Sequence, residues 1–162
     1  MMSLSQVIIS NDCFFTLALK TLMPSKLLSG ACLIVDVKST GRMRVEQCAA
    51  HNKKIFAFIC SDFDYYALCH LDNVVFIDRK SDINEVLLCL STNHSHLNYR
   101  LKVKLSKNEG YVLSCLQEGL DTREIGERLG VDIKSVYASR LRLMNKMQVG
   151  NRIDLYQNIV RQ

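Results

Sequence analysis

Apolar and polar positions change rhythm near residue 100 of the chain. Before that point, short and almost unbroken apolar runs alternate with stretches of helical spacing. Gln6–Ser10 (QVIIS), Ala31–Val37 (ACLIVDV), Lys54–Cys60 (KIFAFIC) and Val74–Ile77 (VVFI) read as strands. Runs of this kind are buried on both faces of a parallel sheet. Phe14–Met23, Arg42–His51, Tyr65–Leu71 and Ile83–Leu90 carry the helical spacing, the first stopping before Pro24, the only proline. Strands alternating with short helices predict an α/β domain with a small parallel sheet over residues 1–90.

Residues 91–104 (STNHSHLNYRLKVK) are polar and then basic, with no sustained helical stripe. They predict a flexible linker. From Leu105 the pattern becomes all-α: four short helices over 105–162, cut apart by regular punctuation. Ser106 with Glu109 is a capping box, and Gly119 supplies the left-handed residue that ends the first helix. Asp121 with Glu124 opens the second helix and Gly130 closes it; Asp132 and Asn151 cap the third and fourth. Helix, tight turn, helix is the frame that lays one helix in the major groove of DNA. On the third helix Val136, Leu143 and Met147 form the inward face. That phasing turns Lys134, Ser135, Tyr137, Ala138, Leu141, Arg142 and Asn145 outward, with Arg140 flanking them. The last helix carries Leu155, Tyr156, Ile159 and Val160 as an apolar stripe that closes the small core.

Composition adds bounds. The 162 residues hold one medium domain or two small ones, and 48% hydrophobic with 23% charged residues is ordinary globular usage. No apolar run approaches the ~20 residues of a membrane span, and MMSLSQVIIS lacks the features of a signal peptide. A cytoplasmic protein without a membrane partner is expected, nucleoid-associated when on DNA. Seven cysteines, an odd number with no CxxC pair, behave as small hydrophobes of a reducing compartment. Cys89, His94 and His96 lack a fourth ligand for a metal. No basic residue closely adjoins a cysteine, which argues against a redox thiol. No nucleophile–base set or glycine-rich phosphate loop stands out, so neither an enzyme nor a cofactor is expected. Charge is uneven: ten basic against nine acidic residues up to Arg100, then eleven against seven. Between Lys134 and Arg161 six basic residues face Asp154 alone, on the helix that the frame would place against phosphates.

The stretch LSKNEGYVLSCLQEGLDTREIGERLGVDIKSVYASRLRLMNKMQVGNRIDL resembles the LuxR-type (GerE-type) helix-turn-helix domain of bacterial transcription regulators, without a gap. Core, turn and cap positions agree, among them Leu105, Glu109, Val112, Gly119, Ile125, Val136, Lys146, Val149 and Asn151. The resemblance implies binding of double-stranded DNA, with base edges met from Tyr137, Ala138 and Leu141. Leu141 would suit a thymine methyl, and Arg140 or Arg142 a guanine. Thr122, Ser135 and Lys146 would dock on phosphates, beside Lys134. In the family the last helix is also a dimer contact, which implies that role for Leu155, Tyr156 and Ile159.

The N-terminal part resembles the receiver domain of response regulators. VIISNDCFFTLALKTLM is similar to the first strand, acidic pair and first helix, and LIVDVKS to the phosphoacceptor strand, placing that role on Asp36. FAFICSDFDYYALCHL and VFIDRKSDINEVLLCL are similar to the last two strands with their helices. Several positions depart from the family. Asn11 replaces one acid of the pair, leaving Asp12; Cys60 stands at the hydroxyl position and Arg79 at the lysine. The interval from Asp12 to Asp36 is one β–α unit too short. Asp36 is either still an acceptor or a relic on a scaffold used for dimerisation, and the altered metal, hydroxyl and lysine positions favour the relic. Together the two resemblances imply a DNA-binding regulator independent of aspartyl phosphorylation, as a homodimer or a heterodimer with another LuxR-type regulator. The alternative is an interaction module that pairs with a complete response regulator and modulates or blocks it.

Overall fold

Side chains alternate across the N-terminal strands, and each set meets its own layer of helices. The computed structural model describes residues 7–25, 31–92 and 99–160. The chain divides into one compact unit up to Arg100 and another from Leu101. In the first, β1 (Ile8–Ile9), β2 (Cys32–Asp36), β3 (Lys54–Ile59) and β4 (Val74–Asp78) form a parallel sheet in the order β1-β2-β3-β4. Ile34 pairs beside Phe56, and Phe58 beside Ile77. That face is covered by α1 (Cys13–Leu22) and α5 (Ile83–Thr92), through Leu19, Val86, Cys89 and Leu90. Val35, Ile55, Ala57, Ile59 and Phe76 point the other way, onto α3 (Arg42–Ala49) and α4 (Asp62–Leu68). A single turn, α2 (Val37–Thr40), links β2 to α3. The α/β class and the parallel sheet agree with the sequence pattern, and no strand lies between α1 and β2 among the described residues.

Three details differ from the sequence expectation. β1 is only two residues long, because only Ile8 and Ile9 pair with β2. α4 starts at Asp62 rather than Tyr65, since the Ser61 hydroxyl accepts the Asp64 N–H and caps the helix there. Tyr99 departs from the flexible linker expected of 91–104. It is buried, its N–H donates to the Phe76 carbonyl at 2.8 Å, and its hydroxyl donates to Asp62 at 2.6 Å. Burial and then the Asp62 carboxylate push its phenol pKa up. Ser91 and Thr92 complete α5, while residues 93–98, with His94 and His96, lie outside the described residues.

The second unit contains α6 (Lys107–Gln117), α7 (Thr122–Leu129), α8 (Ile133–Lys146) and α9 (Arg152–Ile159). Both capping boxes form, at Ser106/Glu109 and Asp121/Glu124, and Asp132 and Asn151 accept the N–H groups of Ser135 and Asp154. Val112, Leu113, Leu116, Ile125, Val136, Leu143 and Leu155 are the buried core. Glu109 does two jobs: it accepts the Ser106 N–H at 2.8 Å and the Lys146 ammonium at 2.7 Å, tying the start of α6 to the end of α8. These bonds hold its carboxyl below the usual range, that of Lys146 first and the Ser106 backbone next.

The turn between α7 and α8 depends on two glycines. Gly130 ends α7 in the left-handed region at φ 64°. Gly126 has no room for a side chain, since a Cβ there would lie 2.9 Å from the Val131 carbonyl oxygen. The same residues form the 3.0 Å bond from the Val131 N–H to the Gly126 carbonyl. Gly126→Ala is expected to destabilise the protein by about 1–3 kcal/mol, because backbone must move to admit the methyl. A urea midpoint unchanged from wild type would show that the turn yields freely.

A second expectation concerns pH. Because the folded pKa of Glu109 is depressed, its contribution is complete above the unfolded value of about 4.3 and is lost as pH falls through the folded value. The wild-type melting temperature should therefore fall more steeply below about pH 5 than that of Glu109→Gln. Parallel curves for the two proteins would remove Glu109 from the acid response.

Candidate functional site

Helix α8 presents two faces of opposite character. Val136, Ser139, Arg140, Leu143 and Met144 are buried, at the spacing of one helical face. Lys134, Ser135, Tyr137, Ala138, Leu141, Arg142 and Asn145 are exposed. Tyr137 and Leu141 keep 47% and 59% of their surface accessible, unusual for large apolar groups one helical turn apart. With fourteen residues the helix is about 21 Å long. Its width suits the major groove.

Arg140 and Lys146 both make contacts within the domain, Arg140 buried and Lys146 still exposed. Arg140 is only 5% exposed. Its Nη1 donates to Thr122 Oγ1 at 3.3 Å, and its guanidinium carbon lies 4.6 Å from the centre of the Tyr137 ring. Lys146 is committed to Glu109. Thr122 is half-buried at the first position of α7. Arg142 is exposed and donates to Ser139 Oγ at 3.3 Å. Arg161, counted in the basic run, lies outside the described residues.

The dimer-contact residues also sort by phase. Leu155 and Ile159 are buried in the core, and Tyr156 is half-buried. The exposed apolar groups of this segment are Ile153 and Val160, at 69% and 62%. Ile153, Tyr156 and Val160 recur at i, i+3 and i+7, one outward stripe of which the sequence pattern gives Tyr156 and Val160 but not Ile153. Its signal was the same periodicity shifted by two residues.

A second constellation sits at the carboxyl ends of the N-terminal strands. Asp36, at the end of β2, has no exposed surface. Arg79, just past β4, donates from Nε to Asp36 Oδ1 at 3.0 Å and from Nη2 to Asp12 Oδ2 at 2.6 Å. Ser10 Oγ donates to Asp36 Oδ2 at 2.9 Å, a partner absent from the expected set. Its hydroxyl sits just before Asn11-Asp12, but nothing local distinguishes it. Asp12 also caps α1 through the Phe14 and Phe15 N–H groups. The Phe15 N–H, then Arg79, holds its carboxyl below the usual range. For Arg79 burial opposes the charge, but the bonds to Asp36 and then Asp12 outweigh it and raise its pKa. Asn11 faces outward and donates to the Ser39 carbonyl at 2.9 Å. The Cys60 thiol pKa is raised by burial and then by Asp64, so it is a poor nucleophile. The divalent cation of a receiver does not fit this arrangement. Its two carboxylates are already bridged by a guanidinium, and the second acid of the pair is Asn11.

The luxR family of bacterial regulatory proteins (GerE) matches residues 103–159. No curated protein matches the chain significantly. Among solved structures, RcsB from Salmonella enterica serovar Typhimurium, bound to promoter rprA in the presence of the phosphomimetic BeF3-, is 18% identical. That similarity covers 95% of this chain and 97% of the other, with a TM-score of 0.52, which shows a shared fold. A Salmonella typhimurium RcsB response regulator structure is 17% identical over 93% of this chain and 95% of its own, with a TM-score of 0.48. No helix among the described residues is long and apolar enough to cross a membrane. Residues 103–159 therefore match the luxR family of bacterial regulatory proteins and fold as a helix-turn-helix domain, and they follow in sequence an α/β domain with a four-stranded parallel sheet.

Proposed function

We infer that this transcription regulator reads specific DNA sequences through the outward face of α8 and works without aspartyl phosphorylation. The carrying observation is the joint exposure of Tyr137, Leu141, Lys134 and Arg142 on a helix whose opposite face is fully packed. Apolar Leu141 suits a thymine methyl, and the Arg142 fork suits the O6 and N7 of guanine. Lys134 and Ser135 serve phosphates at the start of α8. The RcsB structure of the same fold is bound to a promoter, which supports this use of the domain. A dimer is supported by the stripe of Ile153, Tyr156 and Val160, which would set two copies of α8 on half-sites about one helical turn apart. The protein's role is to bind, and no step of chemistry is assigned to it.

Residues 1–90 serve as the receiver-like body, and the DNA-reading domain spans 105–162. Independence from phosphorylation is supported by the Arg79 bridge. Both Asp36 oxygens are engaged, by Arg79 and Ser10, and the side chain is fully buried. A second reading has its own observation: α1 exposes Phe14, at 81%, together with Leu17 and Leu22. Such a face supports a protein partner for the N-terminal domain, as a module pairing with a complete response regulator would need.

Purified protein mixed with fragmented genomic DNA across a salt series should enrich fragments sharing a two-part motif, with affinity falling steeply as salt rises. Arg142→Ala should lower specific affinity by about 1–3 kcal/mol and relax preference at one base pair. An unchanged footprint and affinity would take Arg142 out of the readout. Enrichment only when a response regulator is added would favour the second reading.

Incubation with a small phosphodonor and Mg²⁺ should leave Asp36 unmodified in the wild type. Arg79→Ala should cost about 3–5 kcal/mol in stability, since it leaves a buried carboxylate without its cation. Phosphate recovered on wild-type Asp36 would end the phosphorylation-independent reading.

A further inference from the structure

Arg140 lies on the buried face of α8, yet its guanidinium touches two groups that border the exposed one. It stacks on Tyr137, three residues earlier on the same helix, and donates to Thr122 at the start of α7. Among the described residues no carboxylate pairs with it. We propose that Arg140 is a positioning residue that couples base reading to phosphate docking by bracing Tyr137 and Thr122 at once. This rests on α8 being the DNA-reading helix.

The chemistry at each end differs. Tyr137 is about half exposed, and without a support its ring would sample several rotamers, each a loss on binding. A planar guanidinium against its face holds the ring in one of them. The Thr122 hydroxyl has one proton to donate and lone pairs to accept. Accepting from Arg140 turns its own proton away from α8, and α7 has eight residues whose first N–H groups favour an anion nearby. Thr122 thus becomes an oriented donor for a backbone phosphate. The unpaired cation behind it, in surroundings of low dielectric, strengthens the same attraction. One side chain therefore fixes the distance between a phosphate clamp on α7 and a base reader on α8. Leu141 and Arg142 have no such tie to α7.

The test uses the full chain and the genomic fragments that the wild type enriches. Tyr137→Ala and Arg140→Ala should each weaken binding roughly tenfold, and the double variant should also lose about tenfold rather than a hundredfold. Arg140→Ala should flatten base preference at the same base pairs as Tyr137→Ala, which a general loosening of the domain would not do. Thr122→Val should weaken wild-type binding at all sequences alike and add little in the Arg140→Ala background. Arg140→Lys keeps the charge without the planar fork, and should retain part of the preference. It also replaces Arg140→Ala in the cycle should that variant melt early. Multiplicative losses near a hundredfold, or weaker binding with base preference intact, would overturn the brace. Failure of the wild type to enrich any fragment would overturn the DNA-reading face itself, and the brace with it.

Discussion

A charge taken out of water must find its counter-charge or hydrogen bonds within the chain, and this requirement decides which residues remain for a partner. Asp36 has no exposed surface and is answered by Arg79 and Ser10. Glu109 is answered by Lys146 and the Ser106 backbone. Arg42 and Asp64 pair at 2.8 Å beneath α3 and α4. Each pairing commits a basic side chain to structure. The count of 21 basic residues thus overstates how many are left for DNA, although the net charge of +5 is unchanged by these neutral pairs. On α8, Lys134, Arg142 and Lys146 are exposed, Lys146 while paired with Glu109, whereas Arg140 is buried.

What was legible in the sequence follows from the range over which each signal acts. Caps and helix ends involve neighbours three or four residues apart, so Ser106, Asp121, Gly130 and Asn151 were readable one window at a time. The strands were readable because a sheet buried on both faces demands continuous apolar runs, which only three of four regions sustain over five or more paired residues. Lys146–Glu109, spanning 37 residues, and Arg79–Asp12, spanning 67, leave no local trace. Nor does the burial of Arg140, because a long basic side chain beside a basic surface looks in sequence like one more surface cation. Gly126 went unread for a similar reason. Inside a helical pattern a glycine signals nothing until the Val131 carbonyl is seen lying against it.

Phase is the other place where the sequence leaves two readings open. Leu155 and Ile159 lie four residues apart and read as well for a dimer seam as for a core seam. The small domain needs them for its core, since α9 supplies no other fully buried apolar side chains. What the core leaves unused, Ile153 and Val160, is then the surface available to a second protein. The same competition separates Val136 and Leu143 from Tyr137 and Leu141 on α8, and there the hydrophobic spacing resolved it.

The shortened N-terminal sheet gives the Arg79 bridge a structural purpose apart from chemistry. β1 contributes two paired residues at one edge, and β4 stands at the other edge. So short an edge strand offers little template for a stray strand, but its own ladder hydrogen bonds are few. Arg79 leaves the end of β4, reaches Asp36 at the end of β2, and continues to Asp12 just beyond β1. One guanidinium therefore spans the carboxyl edge of the sheet from strand to strand, with Phe15 of α1 against its face at 5.2 Å. A lysine has a single point of charge and no fork with which to hold two carboxylates in fixed directions. A mobile divalent ion would hold them only while bound. The arginine belongs to the chain itself, so the link between the three strand ends needs no bound ion.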